Sequence, residues 1–449
     1  MARTSVRFVC TNCGAVSQAW TGRCAQCGEW NTLQEEVVTD VGRKHNAPVS
    51  SLVIESVNKL TVRDQPRLSS GLKDLDIILG GGLVPGSVVL IAGQPGIGKS
   101  TLLLQIAAAV ADSVPVLYVS GEESAHQIAI RARRVNARQA ELKLATSVIA
   151  DDIASAIASQ KYRLVIVDSI QTVTSNGLMS AAGTISQITG STQLIMAAAK
   201  QSNTAVIIVG HVTKEGMIAG PKVLEHVVDV VLQLEGEALA GFKVLRAIKN
   251  RFGSTTEAAI FEMAESGLRA VTNPSAALLE ERKITDGSVV LATLEGSRPL
   301  LVEVQALVNR TSYGYPKRAA SGMDLNRVNL LVAMLERRTK LRLNDQDIYI
   351  NIVGGIRLQD PAADLAICMA IGSAAKGLKL KANAVVFGEV GLSGEIRRVP
   401  FIDKRVSEAK KLGFDLVIGP AQPKSQNQGD YVGVSDVRSA LNQFLEKEA

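Results

Sequence analysis

The chain has 449 residues, 46% hydrophobic and 20% charged, with 49 Lys+Arg against 43 Asp+Glu for a formal net charge of +6. This is a globular composition that excludes wholesale disorder, and at about 150 residues per domain it predicts roughly three domains. Aromatic residues at 4% argue against a carbohydrate binder or an aromatic-rich RNA platform, and so small a positive excess favours a polyanionic partner only weakly. No run reaches the about 18 apolar residues that a membrane span needs. The opening MARTSVRFVCTNCG lacks an apolar signal core, so no membrane association and a cytoplasmic location are expected.

In chain order, residues 1–34 form a short, loop-rich module around Cys10, Cys13, Cys24 and Cys27. Each CxxC puts two thiolates on one tight turn, and two such turns complete a tetrahedron. Four soft sulfurs with no open position fit structural Zn²⁺, with a rubredoxin-type iron site as the chemical rival. Gly14, Gly22 and Gly28 supply the turns. Residues 35–65 are polar and read as a linker.

From residue 66 to 273 the texture changes. SVVLIAG (87–93), VPVLYVS (114–120), RLVIVDS (163–169) and TAVIIVG (204–210) read as buried strands, and STLLLQIAAAVA (100–111) as a helix. Apolar runs alternating with helices predict an α/β fold with a mainly parallel sheet covered on both faces. Between the first strand and its helix lie Gly93, Gln94, Pro95, Gly96, Ile97, Gly98, Lys99 and Ser100, followed by Thr101. They match G-x-x-x-x-G-K-[ST] in the strand–loop–helix context the motif needs. The backbone is expected to wrap ATP phosphates at a helix N-terminus, Lys99 to reach the β- and γ-phosphates, and Ser100 to ligate Mg²⁺. Asp168, closing a later strand, is expected to hold Mg²⁺ through water. Glu122 and Glu123 follow another strand, where one carboxylate can polarise the attacking water.

Here a resemblance enters. SSGLKDLDIILGGGLVPGSVVLIAGQPGIGKSTLLLQ (69–105) resembles the RecA-like P-loop ATPase core, and YVSGEES and VIIVGHVTKEG resemble its recombinase branch. KNRFG (249–253), together with the four-Cys module, resembles the bacterial RadA (Sms) family of recombination and repair proteins over essentially the whole chain. The resemblance implies that Glu122 is the water-activating glutamate and His211 a γ-phosphate sensor. The stretches after Asp168 and after His211 fall where recombinases carry DNA-binding loops, with Lys214 and Lys222 offered to phosphates. KNRFG follows a strand-like run late in the core. Arg251, and Lys249 as a mobile charge, are expected to reach a neighbouring subunit's γ-phosphate as an arginine finger does.

Residues 274–449 resemble the Lon-type protease domain through GEVGLSGEIRRV (388–399) and LQDPAADLAI (358–367). An active site of that type needs a serine nucleophile and a lysine base. Here Ala362 or Ala363 occupies the serine position, and the lysine position falls near Asp403, one step before Lys404. A non-proteolytic scaffold is therefore expected. Residues 310–342 hold eight basic residues against two acidic ones, a local +6. Arg310, Lys317 and Arg318, with Tyr313 and Tyr315 able to stack on bases, read as a DNA-binding stretch or as a solvated face.

Together these features predict a DNA-dependent ATPase of homologous recombination and repair. The resemblance implies a hexameric ring that encircles single-stranded DNA, drives branch migration and works beside a recombinase filament. The alternative is a Lon-type ATP-dependent protease or an inactive adaptor derived from one.

Overall fold

A computed structural model describes residues 4–11, 13–39, 66–137, 142–211, 223–236, 242–312, 314–381, 383–422 and 430–447. The chain divides into two compact units. The first comprises Met1–Glu235, Leu245–Thr255 and Ala264–Arg269, and the second comprises Gly236–Val244, Thr256–Met263 and Ala270–Ala449. The chain passes between the two units more than once between residues 235 and 270.

Three antiparallel strands, β1 (Thr4–Cys10), β2 (Val16–Ser17) and β3 (Leu33–Thr39), open the first unit in the order β2-β1-β3. β3 pairs with the whole of β1, Cys10 facing Leu33 and Thr4 facing Thr39. Pairing therefore runs into the segment read as a linker; its residues 40–65 lie outside the described ones.

After α1 (Lys73–Ile78) come β4 (Val88–Gly93), α2 (Lys99–Ala111), β5 (Val116–Ser120), α3 (Ala125–Arg134), β6 (Leu142–Thr146) and α4 (Ala150–Ala158). Then follow β7 (Leu164–Asp168), α5 (Ile185–Ser202), β8 (Ala205–His211), α6 (Val223–Val227), β9 (Val230–Gly236) and β10 (Phe242–Asn250). Six of these strands form a parallel sheet in the order β9-β4-β8-β7-β5-β6. β4, β5 and β7 are buried at every residue, as strands covered on both faces must be. The register sets Gly93 beside His211 and Ser120 beside Asp168, so the C-terminal ends of β4, β8, β7 and β5 meet on one edge.

β11 (Ala258–Ala264), β12 (Gly267–Ala270) and α7 (Pro274–Leu279) follow. The second unit is built on β13 (Ser288–Glu295), β14 (Arg298–Arg310), β15 (Arg318–Ser321), α8 (Leu325–Thr339), β16 (Gln346–Ile352) and α9 (Ala363–Lys376). β17 (Lys379–Leu380), β18 (Ala384–Val386), β19 (Glu389–Val390), β20 (Ile396–Arg397), α10 (Ile402–Lys411), β21 (Leu416–Pro420), β22 (Tyr431–Val434), α11 (Val437–Phe444) and β23 (Leu445–Glu446) complete it. Its mixed sheet runs β15-β16-β14-β13-β18-β21-β22. Residues 363–373 of α9 are all buried, mostly apolar but including Asp364 and Ser373, so this helix is covered on every side.

The N-terminus of α9 holds Ala362 and Ala363, the alanines expected at the serine position of a Lon-type site. Ala362 is fully buried and its N–H donates to Asp360 Oδ1 at 3.0 Å. Arg405 on α10, with no solvent exposure, reaches the Asp360 carboxylate at 2.8 Å and the Ala292 carbonyl at 2.6 Å, its guanidinium lying over Phe387. Thr293 and the Leu294 N–H also donate to Asp360. A half-buried carboxylate and a fully buried guanidinium thus satisfy each other beside these alanines. Removing Arg405 takes the cation from Asp360 and leaves it the Thr293, Leu294 and Ala362 donors, so Arg405→Met should destabilise the second unit by about 1–3 kcal/mol, read as an earlier transition in urea unfolding of the full chain.

Candidate nucleotide site

The loop from Gly93 to Gly98 turns the chain from β4 into α2. Gly96 and Gly98 hold φ of 77° and 112°, a region that side chains with a Cβ avoid. A Cβ on Gly93 would lie 2.7 Å from the Leu234 carbonyl oxygen. Gln94, Pro95 and Gly96 are exposed, Ile97 is buried beneath them as a plug, and Ser100 and Thr101 are half-buried in the first turn of α2. The backbone N–H groups of that first turn have no partner within the helix, which makes them ready donors for phosphate oxygens.

Lys99 is only 4% exposed. Its Nζ donates to the carbonyls of Gly93 (2.8 Å) and Gln94 (3.0 Å) and lies 3.2 Å from His211 Nδ1. On the other side of the ring, His211 Nε2 sits 3.2 Å from Glu122 Oε1. Ser169 donates its hydroxyl to the same Glu122 oxygen. A chain of contacts therefore joins Lys99, His211, Glu122 and Ser169 across three strand ends. Burial pushes the Lys99 ammonium down to about 8, against the pull of Asp168 and Glu122, which favour its charge. Burial works against the ionised form of Glu122, but Ser169, His211 and Lys99 outweigh it and hold the carboxyl below its usual range.

The adjacent glutamates part company. Glu123 forms an ion pair with Arg131 of α3 and takes a backbone bond from its N–H to Ser120 Oγ at 3.0 Å. Glu122 is the one that faces Lys99 and His211. Asp168, 7% exposed, accepts a 2.6 Å hydrogen bond from the Tyr118 hydroxyl. Burial and the neighbouring Asp168 charge raise that phenol far above its ordinary range. Sequence reasoning missed Tyr118, although a tyrosine in an otherwise aliphatic buried strand signals a hydroxyl that needs a partner. Ser100 and Asp168 supply hard oxygen donors beside the phosphate loop, a set that suits Mg²⁺ rather than a softer ion.

Lys249 and Arg251 stand elsewhere. Arg251 donates from its backbone N–H to the Asp229 carbonyl and from its guanidinium to Asp229 Oδ1, both at 3.2 Å. The other oxygen of Asp229 accepts from Val88 N–H. Val88 begins β4 and Gly93 ends it, so Arg251 is anchored at the opposite end of that strand from Lys99, about 16 Å away at about 3.3 Å per residue. Half of the Arg251 side chain remains exposed. Lys249, expected as a mobile charge, is instead held by the carbonyls of Glu225 (2.6 Å), Val228 (2.8 Å) and His226 (3.3 Å), closing the end of α6. Burial and the nearby Arg251 cation lower its pKa.

In the N-terminal module the four cysteine sulfurs lie within 4.8 Å of one another. Cys10 and Cys27 are 3.6 Å apart, and Cys13 and Cys24 are 3.5 Å apart. Sulfurs about 2.3 Å from a central metal would be about 3.8 Å apart in a tetrahedron, so the four fit one ion. Each CxxC closes the same way: Gly14 N–H donates to the Cys10 carbonyl and Gly28 N–H to that of Cys24, both at 2.9 Å, with φ near 75° at each glycine.

In the basic stretch, Arg310 is largely exposed and lies 3.8 Å from Asp345, and Tyr315 is 87% exposed. Lys317 N–H donates to Asp347, and Arg318 reaches Asn329 at 3.4 Å. Arg327 is half-buried and pairs bidentately with the buried Asp364. Tyr313, Lys214 and Lys222 lie outside the described residues.

Comparison with known proteins follows this division. Family profiles match residues 8–35 as a rubredoxin metal binding domain, 60–217 as an AAA domain and 316–423 as subunit ChlI of Mg-chelatase. The DNA repair protein RadA of Halalkalibacterium halodurans is 46% identical, over 99% of this chain and 100% of its own. RadA of Bacillus subtilis is also 46% identical, and that of Pseudomonas aeruginosa 44%, each over 99% of this chain and 100% of the relative. A crystal structure of the RadB recombinase is 26% identical, covering 45% of this chain and 99% of its own, with a TM-score of 0.37.

The depressed Lys99 ammonium predicts a pH effect. The free protein loses this cation as pH rises through about 8, so kcat/KM for ATP should fall about tenfold per pH unit beyond that point. Bound triphosphate restores the charge, so kcat should hold to higher pH; parallel pH profiles of the two constants check this.

Full-length identity to these relatives, a P-loop at the C-terminal edge of a parallel sheet and a four-cysteine module ahead of it agree: the chain belongs to the RadA family of DNA repair proteins.

Proposed function

We propose that the protein is a DNA-dependent ATPase of homologous recombination that binds single-stranded and branched DNA and drives branch migration as a hexameric ring. The observation that carries this is the contact chain Lys99–His211–Glu122 beside the phosphate loop. In this reading Gly93–Thr101 cradles ATP, Ser100 and Asp168 hold Mg²⁺, Glu122 orients and activates the attacking water, and His211 senses the γ-phosphate. Mg²⁺ would neutralise phosphate charge; the chain's own part is to hold the triphosphate with Lys99 and the loop backbone, and to present one carboxylate to water.

Arg251 acts on a neighbouring subunit's nucleotide. Its anchorage on Asp229, at the far end of β4, argues against action on its own phosphate loop. Lys249 supports it by fixing the end of α6. The segments after Asp168 and His211, with Lys214 and Lys222, and the stretch holding Arg310, Tyr313, Tyr315, Lys317 and Arg318 follow DNA, their cations neutralising phosphates. The second unit is a non-proteolytic scaffold of the Lon-like type, because Ala362 and Ala363 offer no nucleophile. The module of residues 1–34 is structural zinc, and the protein acts in the cytoplasm beside a recombinase filament.

ATPase assays with and without single-stranded DNA test the reading as a whole. Glu122→Gln should bind ATP but hydrolyse it at least about 100-fold more slowly, whereas Glu123→Gln should stay within a few-fold of the parent. Arg251→Ala and Lys99→Ala should each be inactive alone and recover activity when mixed, because some interfaces then pair an intact finger with an intact loop. Absence of recovery in demonstrably mixed oligomers would place Arg251 outside trans catalysis. Elemental analysis should find one Zn²⁺ per chain, and none in a Cys10→Ser, Cys13→Ser variant.

A further inference from the structure

Tyr118 is the one side chain of β5 that combines a large ring with a polar tip, and it is 2% exposed. β5 and β7 are neighbours in register, Tyr118 facing Ile166 and Ser120 facing Asp168. Tyr118 and Asp168 are therefore diagonal neighbours, close enough for a long side chain to bridge. The bridge is made: the phenol donates to Asp168 Oδ2 at 2.6 Å. The ring borders a small cavity of 190 Å³ lined by Leu104, Ile128, Ala132, Leu142 and Leu144. All of those side chains are apolar, and they pack the ring against α2, α3 and β6. Leu104 lies one helical turn beyond Ser100 on α2, so the wall that sets the ring is continuous with the helix that carries the phosphate loop.

A carboxylate has two equivalent oxygens and turns freely when neither is held. Here one oxygen is fixed by a donor that packing keeps in place. We propose that Tyr118 is a positioning residue, clamping one oxygen of Asp168 so that the other is presented toward the metal of the nucleotide complex. This rests on the reading of Asp168 as the Mg²⁺ carboxylate. The role goes beyond filling the core, for which phenylalanine would serve equally well.

The test follows binding of a fluorescent ATP analogue to the full-length protein, in EDTA and across a Mg²⁺ titration. Tyr118→Phe keeps the ring and removes only the hydroxyl. Its affinity in EDTA should match the parent, while the Mg²⁺ concentration for half-maximal binding enhancement should rise about tenfold, as for other groups that orient a metal ligand. Asp168→Asn should abolish the Mg²⁺ enhancement, and adding Tyr118→Phe to it should change nothing further. An unchanged half-saturation in Tyr118→Phe, with Asp168→Asn defective, overturns the clamp and leaves the Mg²⁺ reading intact. A parent-like response in Asp168→Asn overturns the Mg²⁺ reading and the clamp with it. Equal losses in EDTA and in Mg²⁺ for Tyr118→Phe assign the residue to packing and overturn the proposal. If Tyr118→Phe does not fold, replacement of tyrosine by 3-fluorotyrosine keeps the ring while altering the donor. The half-saturation of the fluorinated parent should then move, with its affinity in EDTA unchanged; a half-saturation that does not move overturns the clamp.

Discussion

Much of the first unit turns on one difficulty: a lysine ammonium held where almost no water reaches it. A buried cation is tolerated only if it is bonded and neutralised nearby. Lys99 meets this with two loop carbonyls, a histidine nitrogen and the fields of Glu122 and Asp168. Each partner comes from the C-terminal end of a different parallel strand or from the turn just after it. The sheet order and register are what bring them together, since shifting one strand by a residue would carry its functional side chain to the other face. The carbonyls of Gly93 and Gln94 occupy donors that a triphosphate would compete for. The lysine is thereby kept in place before nucleotide arrives.

The second unit handles buried charge in another way. Asp364 and Arg327 form one bidentate pair, which also ties down both polar groups of the Val390 backbone. Asp360 and Arg405 form a second pair through a single contact, tied to the end of β13 and the start of α9. Such pairs seldom add net stability over apolar packing, but they fix which elements meet. Around Ala362 they join β13, α9 and α10 without leaving a reactive group. That arrangement suits a scaffold whose task is shape.

The elements of the ATPase core were legible because their signals are local. A buried strand, a glycine loop and a lysine opening a helix all sit within fifteen residues, and each carries its own periodicity or turn chemistry. The fold class followed from the alternation of such strands with helices. What sequence could not resolve were choices set by contacts distant along the chain. Glu122 and Glu123 are chemically identical neighbours; Arg131, eight residues on, takes Glu123, while His211, 89 residues on, and Ser169 take Glu122. Tyr118 and Asp168 meet across two strands 50 residues apart. Lys249 looked free because the carbonyls that hold it belong to the end of a five-residue helix with little sequence signature. Arg327 lay inside a basic run and read as part of its surface, but its partner Asp364 sits 37 residues later in a run that reads as apolar.

The same long-range logic bears on how one subunit could influence another. The KNRFG element is built into its own chain at several points: Asn250 reaches the Ile78 carbonyl, Arg67 reaches Phe252, and Gly253 packs so closely on Gly80 that a Cβ would lie 3.0 Å from its Cα. Arg251 itself leans on Asp229, whose other oxygen accepts from the first residue of β4. At the far end of that strand the phosphate loop begins. An arginine that left Asp229 to meet an outside anion would leave a buried carboxylate with the Val88 N–H as its remaining described side-chain contact, which is costly unless the strand adjusts. Asp229 thus ties the KNRFG element to the first residue of β4. One strand therefore carries the anchor of Arg251 at its first residue and the start of the phosphate loop at its last.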